Sequence, residues 1–290
     1  MEWLPLALIA AFTIASADAA TKAFYPDRTG LEVLVLRMGT AGLLLLPVAL
    51  LHPIPPVPAA FWGWMGILVP LELFAHLLYF RAIRDSALHL TLPYLAFTPV
   101  FNVLTGYLVL GETVSLAGLG GVLLVVIGAY LLNIERVLNG DGWLAPFKAM
   151  AHEIGPRRML VVAALYSLTS PMSKAAMAYA TPTTFGPFYF AVIGTTLLVA
   201  VAIWRPRTLG VLAHRPGHYL LVGGLMAVMI VTHFLALARV EVAYFVAVKR
   251  TGLLFGILYG ALLFKERQLG QHLLAGGLMV AGVAAIVIGG

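Results

Sequence analysis

"VAVKRTGLLFG", residues 246–256, sets Lys249 and Arg250 side by side within a stretch from Val240 to Phe264 that is otherwise almost wholly apolar. Such a stretch is long enough to span a bilayer, because about 20 helical residues rising 1.5 Å each cross roughly 30 Å of hydrocarbon. A charge near the middle of a span costs about 2.5–3.5 kcal/mol on insertion scales, so each cation needs water or a partner. Adjacent helical positions point about 100° apart, which turns the two side chains toward different surroundings, one to a cavity and one to a neighbouring helix.

The rest of the chain has the same character. Of its 290 residues 61% are hydrophobic and 10% charged, and the mean hydropathy is +0.98, the composition of a membrane protein. The formal charge of +6 then points to loops facing anionic headgroups and not to nucleic acid. Zero cysteines exclude a disulfide frame, a thiol nucleophile and a Cys-bound metal. The N-terminal "MEWLPLALIAAF" has no basic region ahead of its apolar run, so the first segment is expected to remain as a span.

Apolar runs punctuated by Pro, Gly and charge predict ten transmembrane helices, at 3–24, 30–51, 60–80, 87–110, 116–134, 158–179, 184–204, 217–238, 241–264 and 269–288. The one long connection follows the fifth span. It carries Trp143, Phe147, Met150 and Ile154 at helical spacing, the pattern of an amphipathic helix at the membrane surface or of a packed linker helix. The expected organisation is a first repeat at 1–135, a linker at 136–157 and a second repeat at 158–290.

The halves are related. A shift of 154 residues places Phe80 on Phe234, Phe101 on Phe255, Gly106 on Gly260, Glu112 on Glu266 and Gly128 on Gly282. In the earlier segments a shift of 152 places Ala11 on Ala163, Lys22 on Lys174 and Gly42 on Gly194. A repeat with an odd number of spans enters the membrane in opposite senses, so the fold class expected is an all-α membrane protein of two inverted five-helix repeats around a central cavity. Basic residues concentrate in the odd-numbered loops, which places those loops in the cytoplasm and both termini outside.

Each copy carries an apolar run ending in a leucine-rich stretch and a glutamate: "TPVFNVLTGYLVLGE" at 98–112 and "GLLFGILYGALLFKE" at 252–266, each followed by a Gly-rich final helix. In this the sequence resembles the EamA-type transporters of the drug/metabolite transporter superfamily, over essentially the whole chain. Among them it is most similar to the YddG-type exporters of aromatic and other neutral amino acids. The resemblance implies a multi-pass protein of the bacterial inner membrane that exports small molecules, with no cofactor and no obligatory protein partner beyond the lipid bilayer. Leu253 stands where the first copy has Pro99, preceded by Lys249 and Arg250, a departure that marks a place for substrate chemistry. Glu112 and Glu266 read as boundary-setting carboxylates beside the helices that follow them.

Other polar residues fall within spans. In "PLELFAHLLYF", Glu72, His76 and Tyr79 project from one helix face, downstream of Pro70. They either pair between helices or line a cavity. One Glu and one His are too few for a closed zinc site, and "HEIGP" at 152–156 lacks the second His of a zinc-protease motif, so no metal is expected. Arg37 could pair with Asp18 structurally or serve the substrate, Lys22 and Lys174 read as snorkelling residues, and His233 as a packing residue or a ligand. The candidate substrate-binding set is Glu72, His76, Tyr79, Tyr94, Ser170, His233, Lys249 and Arg250. Pro93 and Pro99 in the first copy, with Gly252 and Gly256 in the second, are candidate gating points.

These residues predict a secondary transporter that exports zwitterionic metabolites by alternating access. A cation at 249 or 250 would meet the carboxylate, Glu72 beside His76 the ammonium group, and tyrosines the side chain. Anionic metabolites or drugs are the alternative cargo. A receptor lacks a soluble signalling domain here, and an enzyme lacks a nucleophile–base pair, metal set or phosphate loop.

Overall fold

The computed structural model describes residues 2–85, 92–138, 154–213, 215–264 and 269–289. Among these every regular element is helical. Within hydrocarbon a chain without an edge-free barrel must satisfy its backbone groups internally, and the helix does so. The elements are α1 (Trp3–Phe24), α2 (Gly30–Leu51), α3 (Ala59–Asp85), α4 (Thr98–Leu110), α5 (Leu116–Leu138), α6 (Ile154–Met177), α7 (Pro182–Trp204), α8 (Pro216–Leu237), α9 (Val242–Lys249), α10 (Gly252–Phe264) and α11 (Leu269–Gly289). Among the described residues six segments are long and apolar enough to cross a membrane, and leucines, isoleucines and tryptophans such as Leu50, Trp62, Leu108 and Trp204 stand exposed on the helix surfaces. Apolar exposure on that scale fits lipid and not water.

Eight of the ten predicted spans lie on single helical segments with ends shifted by a few residues. The other two are interrupted. The fourth, expected as one helix over 87–110, begins in the described residues as a 3-10 turn at Leu92–Phe97 and becomes α-helical only at Thr98. The ninth, expected over 241–264, is broken into α9 and α10. Pro99 lies in the first turn of α4, where its missing N–H costs nothing. α2 also contains a π-helical segment, Val35–Gly39. The interfacial helix expected in the linker and the glutamate at 266 lie outside the described residues.

The chain packs as two units, and each draws on both halves of the sequence: one comprises Arg81–Pro171 with Val240–Gly290, the other Glu2–Phe80 with Met172–Arg239. Packing therefore does not follow the boundary at 136–157. In the first unit α5 packs on α11 and α4 on α9; in the second α1 packs on α8 and α2 on α7.

Close helix approaches in each unit are reciprocal. A Cβ added to Gly121 would lie 2.7 Å from the Gly282 carbonyl oxygen, and one added to Gly128 would lie 2.6 Å from that of Ala275. The 154-residue shift maps Gly121 onto Ala275 and Gly128 onto Gly282, so each contact is the image of the other. In the second unit a Cβ on Gly42 would lie 2.7 Å from the Phe190 carbonyl oxygen, and one on Gly194 would lie 2.8 Å from that of Met38. The 152-residue shift maps 38 onto 190 and 42 onto 194. Only glycine lets helix backbones meet at this distance.

Candidate functional site

The two cations of the opening stretch stand at the helix break. Lys249 is the last residue of α9 and Arg250 its C-cap, where the negative end of the helix dipole favours positive charge. α9 needs only eight residues to reach this point, and α10 starts afresh at Gly252. Thr251, between them, returns its hydroxyl to the Val248 carbonyl at 2.7 Å. The sequence puts cations in the apolar run because the run is not one continuous helix.

Each cation turns to a different neighbour. The Arg250 guanidinium donates to Thr98 Oγ1 at 3.0 Å, and Thr98, itself buried, donates to the Leu95 carbonyl at 2.8 Å. Lys249 Nζ lies 6.0 Å from the Phe245 ring centroid, a distance at which the ring face attracts a cation. Thr98 is the first residue of α4, and the 154-residue shift maps it onto Gly252, the first of α10. The 3-10 segment therefore becomes α-helical at the residue equivalent to the start of α10, and Arg250 reaches from the turn before α10 to that point.

Further polar groups surround this point. Thr105 donates to the Ser167 carbonyl at 2.6 Å. The Asn102 side chain is buried, and its amide nitrogen has no hydrogen-bond partner among the described residues. Ser170 donates to the Tyr166 carbonyl at 2.7 Å, a bond internal to α6. Tyr94 is buried in the 3-10 turn, 6.4 Å from the Phe97 ring. Gly256 is exposed, with nothing within 4 Å of where a Cβ would stand, so it makes no close helix approach.

Glu112 also belongs to this unit, but it caps a different helix from the one expected. Its Oε2 accepts the Val242 N–H at 2.8 Å and so closes the N-terminus of α9, whereas the following helix, α5, is capped by Ser115, whose Oγ accepts from the Gly118 N–H at 2.9 Å. Gly111, left-handed at φ 71°, ends α4 and turns the glutamate toward α9.

The second unit holds Asp18 and Glu72. Glu72 is buried, and His76, one turn on, places Nδ1 2.9 Å from the Glu72 carbonyl oxygen and 3.5 Å from its Oε1. A carbonyl only accepts, so Nδ1 carries the proton and Nε2 of the neutral ring is the acceptor. Tyr189 donates to the Leu68 carbonyl at 3.3 Å and stacks 5.5 Å from Phe185. The Tyr79 ring meets Phe80 edge-on at 5.1 Å, and His233 lies 4.9 Å from Phe234.

Asp18 and Arg37 pair as the sequence implied. The Arg37 guanidinium also lies 3.3 Å from Met226 Sδ and 5.9 Å from the Phe80 ring centroid, and the residue is buried in the π-helical segment. π-bulges recur at functional positions. Sequence reasoning named neither Thr98 nor Met226. Thr98 was within reach of the repeat alignment, but no local signal joins Met226 to Arg37 across 189 residues.

The membrane-long helices now stand beside a sequence match. Residues 1–134 match the model of the EamA-like transporter family. The match covers the first part of the chain, and the six apolar helices among the described residues fit a multi-pass membrane protein. No curated protein matches this chain. A solved crystal structure of a protein resembles it in fold with a TM-score of 0.74 at 14% sequence identity, covering 99% of this chain and 97% of its own.

Proposed function

We propose that this EamA-like transporter is a secondary exporter of small zwitterionic metabolites, aromatic and other neutral amino acids of the YddG type, acting by alternating access in a bacterial inner membrane. The observation that carries the proposal is the Arg250 hydrogen bond to Thr98, which joins the turn between α9 and α10 to the point where the 3-10 segment becomes α4, positions that the 154-residue shift equates. Irregular helical segments at equivalent places in two repeats mark substrate sites in carriers. The reciprocal glycine contacts support the inverted repeat, since a contact that equals its own image is what a pseudo-two-fold axis produces.

In this reading the first unit offers Lys249 and Arg250, with Tyr94 and Ser170, as candidates for a carboxylate and a side chain. The second unit offers Glu72 with His76, and Tyr79 and His233, as candidates for an ammonium group and a side chain. Pro93, Pro99 and Gly252 serve as hinges, and exposed Gly256 adds local flexibility. Cations and carboxylates offered together favour a zwitterion over a purely apolar drug.

The test is uptake of labelled phenylalanine, methionine and threonine into proteoliposomes, with Arg250→Ala, Lys249→Ala and Glu72→Gln compared after checking insertion. Saturable transport by the parent, lost in Glu72→Gln and in one of the two cation variants, is the expected result. Transport of anions without any amino acid would overturn the substrate class.

A further inference from the structure

Asp18 differs from the other acidic groups within spans. Its side chain is 51% exposed, while that of its partner Arg37 is 7% exposed. Ala15, Ser16, Ala17 and Ala19, which surround it on α1, are all buried. At 100° per residue exposed Lys22, Leu8, Phe12 and Ile9 lie about 40°, 80°, 120° and 180° round the helix from Asp18. Asp18 therefore stands at the polar edge of the exposed arc, beside Lys22 and away from its apolar centre. A carboxylate exposed there needs water or a cationic partner.

Arg37 occupies one side of that carboxylate. Among the described residues Arg37 is the polar partner of Asp18, bonded through Oδ1, and a carboxylate has acceptor positions for further donors. The guanidinium in turn is also seated against Met226 Sδ and the Phe80 ring, so Arg37 is held from behind. The result is an exposed carboxylate of fixed position within a membrane-spanning helix, with acceptor capacity beyond its bond to Arg37.

We propose that Asp18 is a substrate-binding residue that receives the primary ammonium group of the transported amino acid, with Arg37 holding its carboxylate in place. This rests on the amino-acid reading above and adds to buried Glu72 a second, more open carboxylate for the ammonium group.

Counterflow of labelled phenylalanine in proteoliposomes tests it, with phenethylamine and 3-phenylpropionate as competitors. The proteins are the parent, Asp18→Asn, Asp18→Glu and the double variant Asp18→Asn/Arg37→Met, which strands no charge. Asp18→Asn is expected to raise KM for phenylalanine about 10- to 100-fold, the range for losing a charge-assisted hydrogen bond, with a smaller change in kcat. Phenethylamine competes in the parent and loses its effect in Asp18→Asn, Asp18→Glu recovers part of the affinity, and the double variant behaves as Asp18→Asn. A parental KM with undiminished phenethylamine competition, in Asp18→Asn or in the folded double variant, overturns the proposal and leaves amino-acid transport standing. A parent that moves no phenylalanine, methionine or threonine overturns the amino-acid reading and this proposal with it.

Discussion

The Gly42–Gly194 crossing offers the sharpest test of the internal symmetry. A methyl group on Gly42 would stand 2.7 Å from the Gly194 Cα and from the Phe190 carbonyl oxygen; one on Gly194 would stand 2.7 Å from the Gly42 Cα and 2.8 Å from the Met38 carbonyl oxygen. These are backbone atoms, so no side chain can swing aside. Ordinary van der Waals contact starts near 3.4 Å, and α2 and α7 must therefore separate by roughly 0.7 Å, 3.4 minus 2.7. Overpacking of this kind costs about 1–3 kcal/mol. At about 2–4 °C per kcal/mol, Gly42→Ala and Gly194→Ala should each lower the apparent melting temperature by about 3–10 °C. Because each contact is the image of the other, the two losses should be similar. The double variant should lose less than their sum, since the second methyl enters a gap the first has opened. Fluorescence-detected size exclusion after heating in detergent reads all three. Melting within 1 °C of the parent for either single variant, or a large loss in one and none in the other, would refute the reciprocal packing.

Other outcomes follow from the first unit. Glu112→Ala removes the cap of α9, at a cost of about 1 kcal/mol, and hydrogen exchange at the Val242 amide should quicken; unchanged protection would show that the bond at 2.8 Å is not holding the helix end. Gly118→Ala places a methyl 2.0 Å from the Tyr244 hydroxyl, which accepts from the Ser115 N–H at 2.9 Å, so the variant should melt lower and Tyr244→Phe in the same chain should restore part of the loss. Removing the Asp18 charge alone strands a buried guanidinium at about 3–5 kcal/mol, so Asp18→Asn should melt below the double variant Asp18→Asn/Arg37→Met, and equal melting would mean that Arg37 is compensated elsewhere.

Much of the architecture was legible in sequence because it rests on one-dimensional quantities. Hydrophobic length located the spans, and the near-constant shift exposed the relation between halves. The pairing of Asp18 with Arg37 was also readable, since two opposite charges in consecutive apolar runs have few other ways to avoid isolation in a low dielectric. What hydropathy could not show was continuity. Val240–Phe264 and the run before Leu110 look like single α-helices to any average over a window, yet one turns at Arg250–Thr251 and the other is 3-10 up to Phe97.

The candidate site divides the same way. The sequence by itself determined that charges of both signs stand within membrane spans, and that Glu72 and His76 share a helix face. Only the tertiary structure decided who answers each charge: Thr98 meets Arg250, Met226 meets Arg37, and Glu112 caps α9 and not the helix that follows it. Those choices join residues more than a hundred positions apart. They are made by which helices pack together, and helix packing depends on small residues meeting at a crossing, which periodicity along one chain does not encode. Accessibility is decided there too, because the same packing that buries Glu72 leaves Asp18 open.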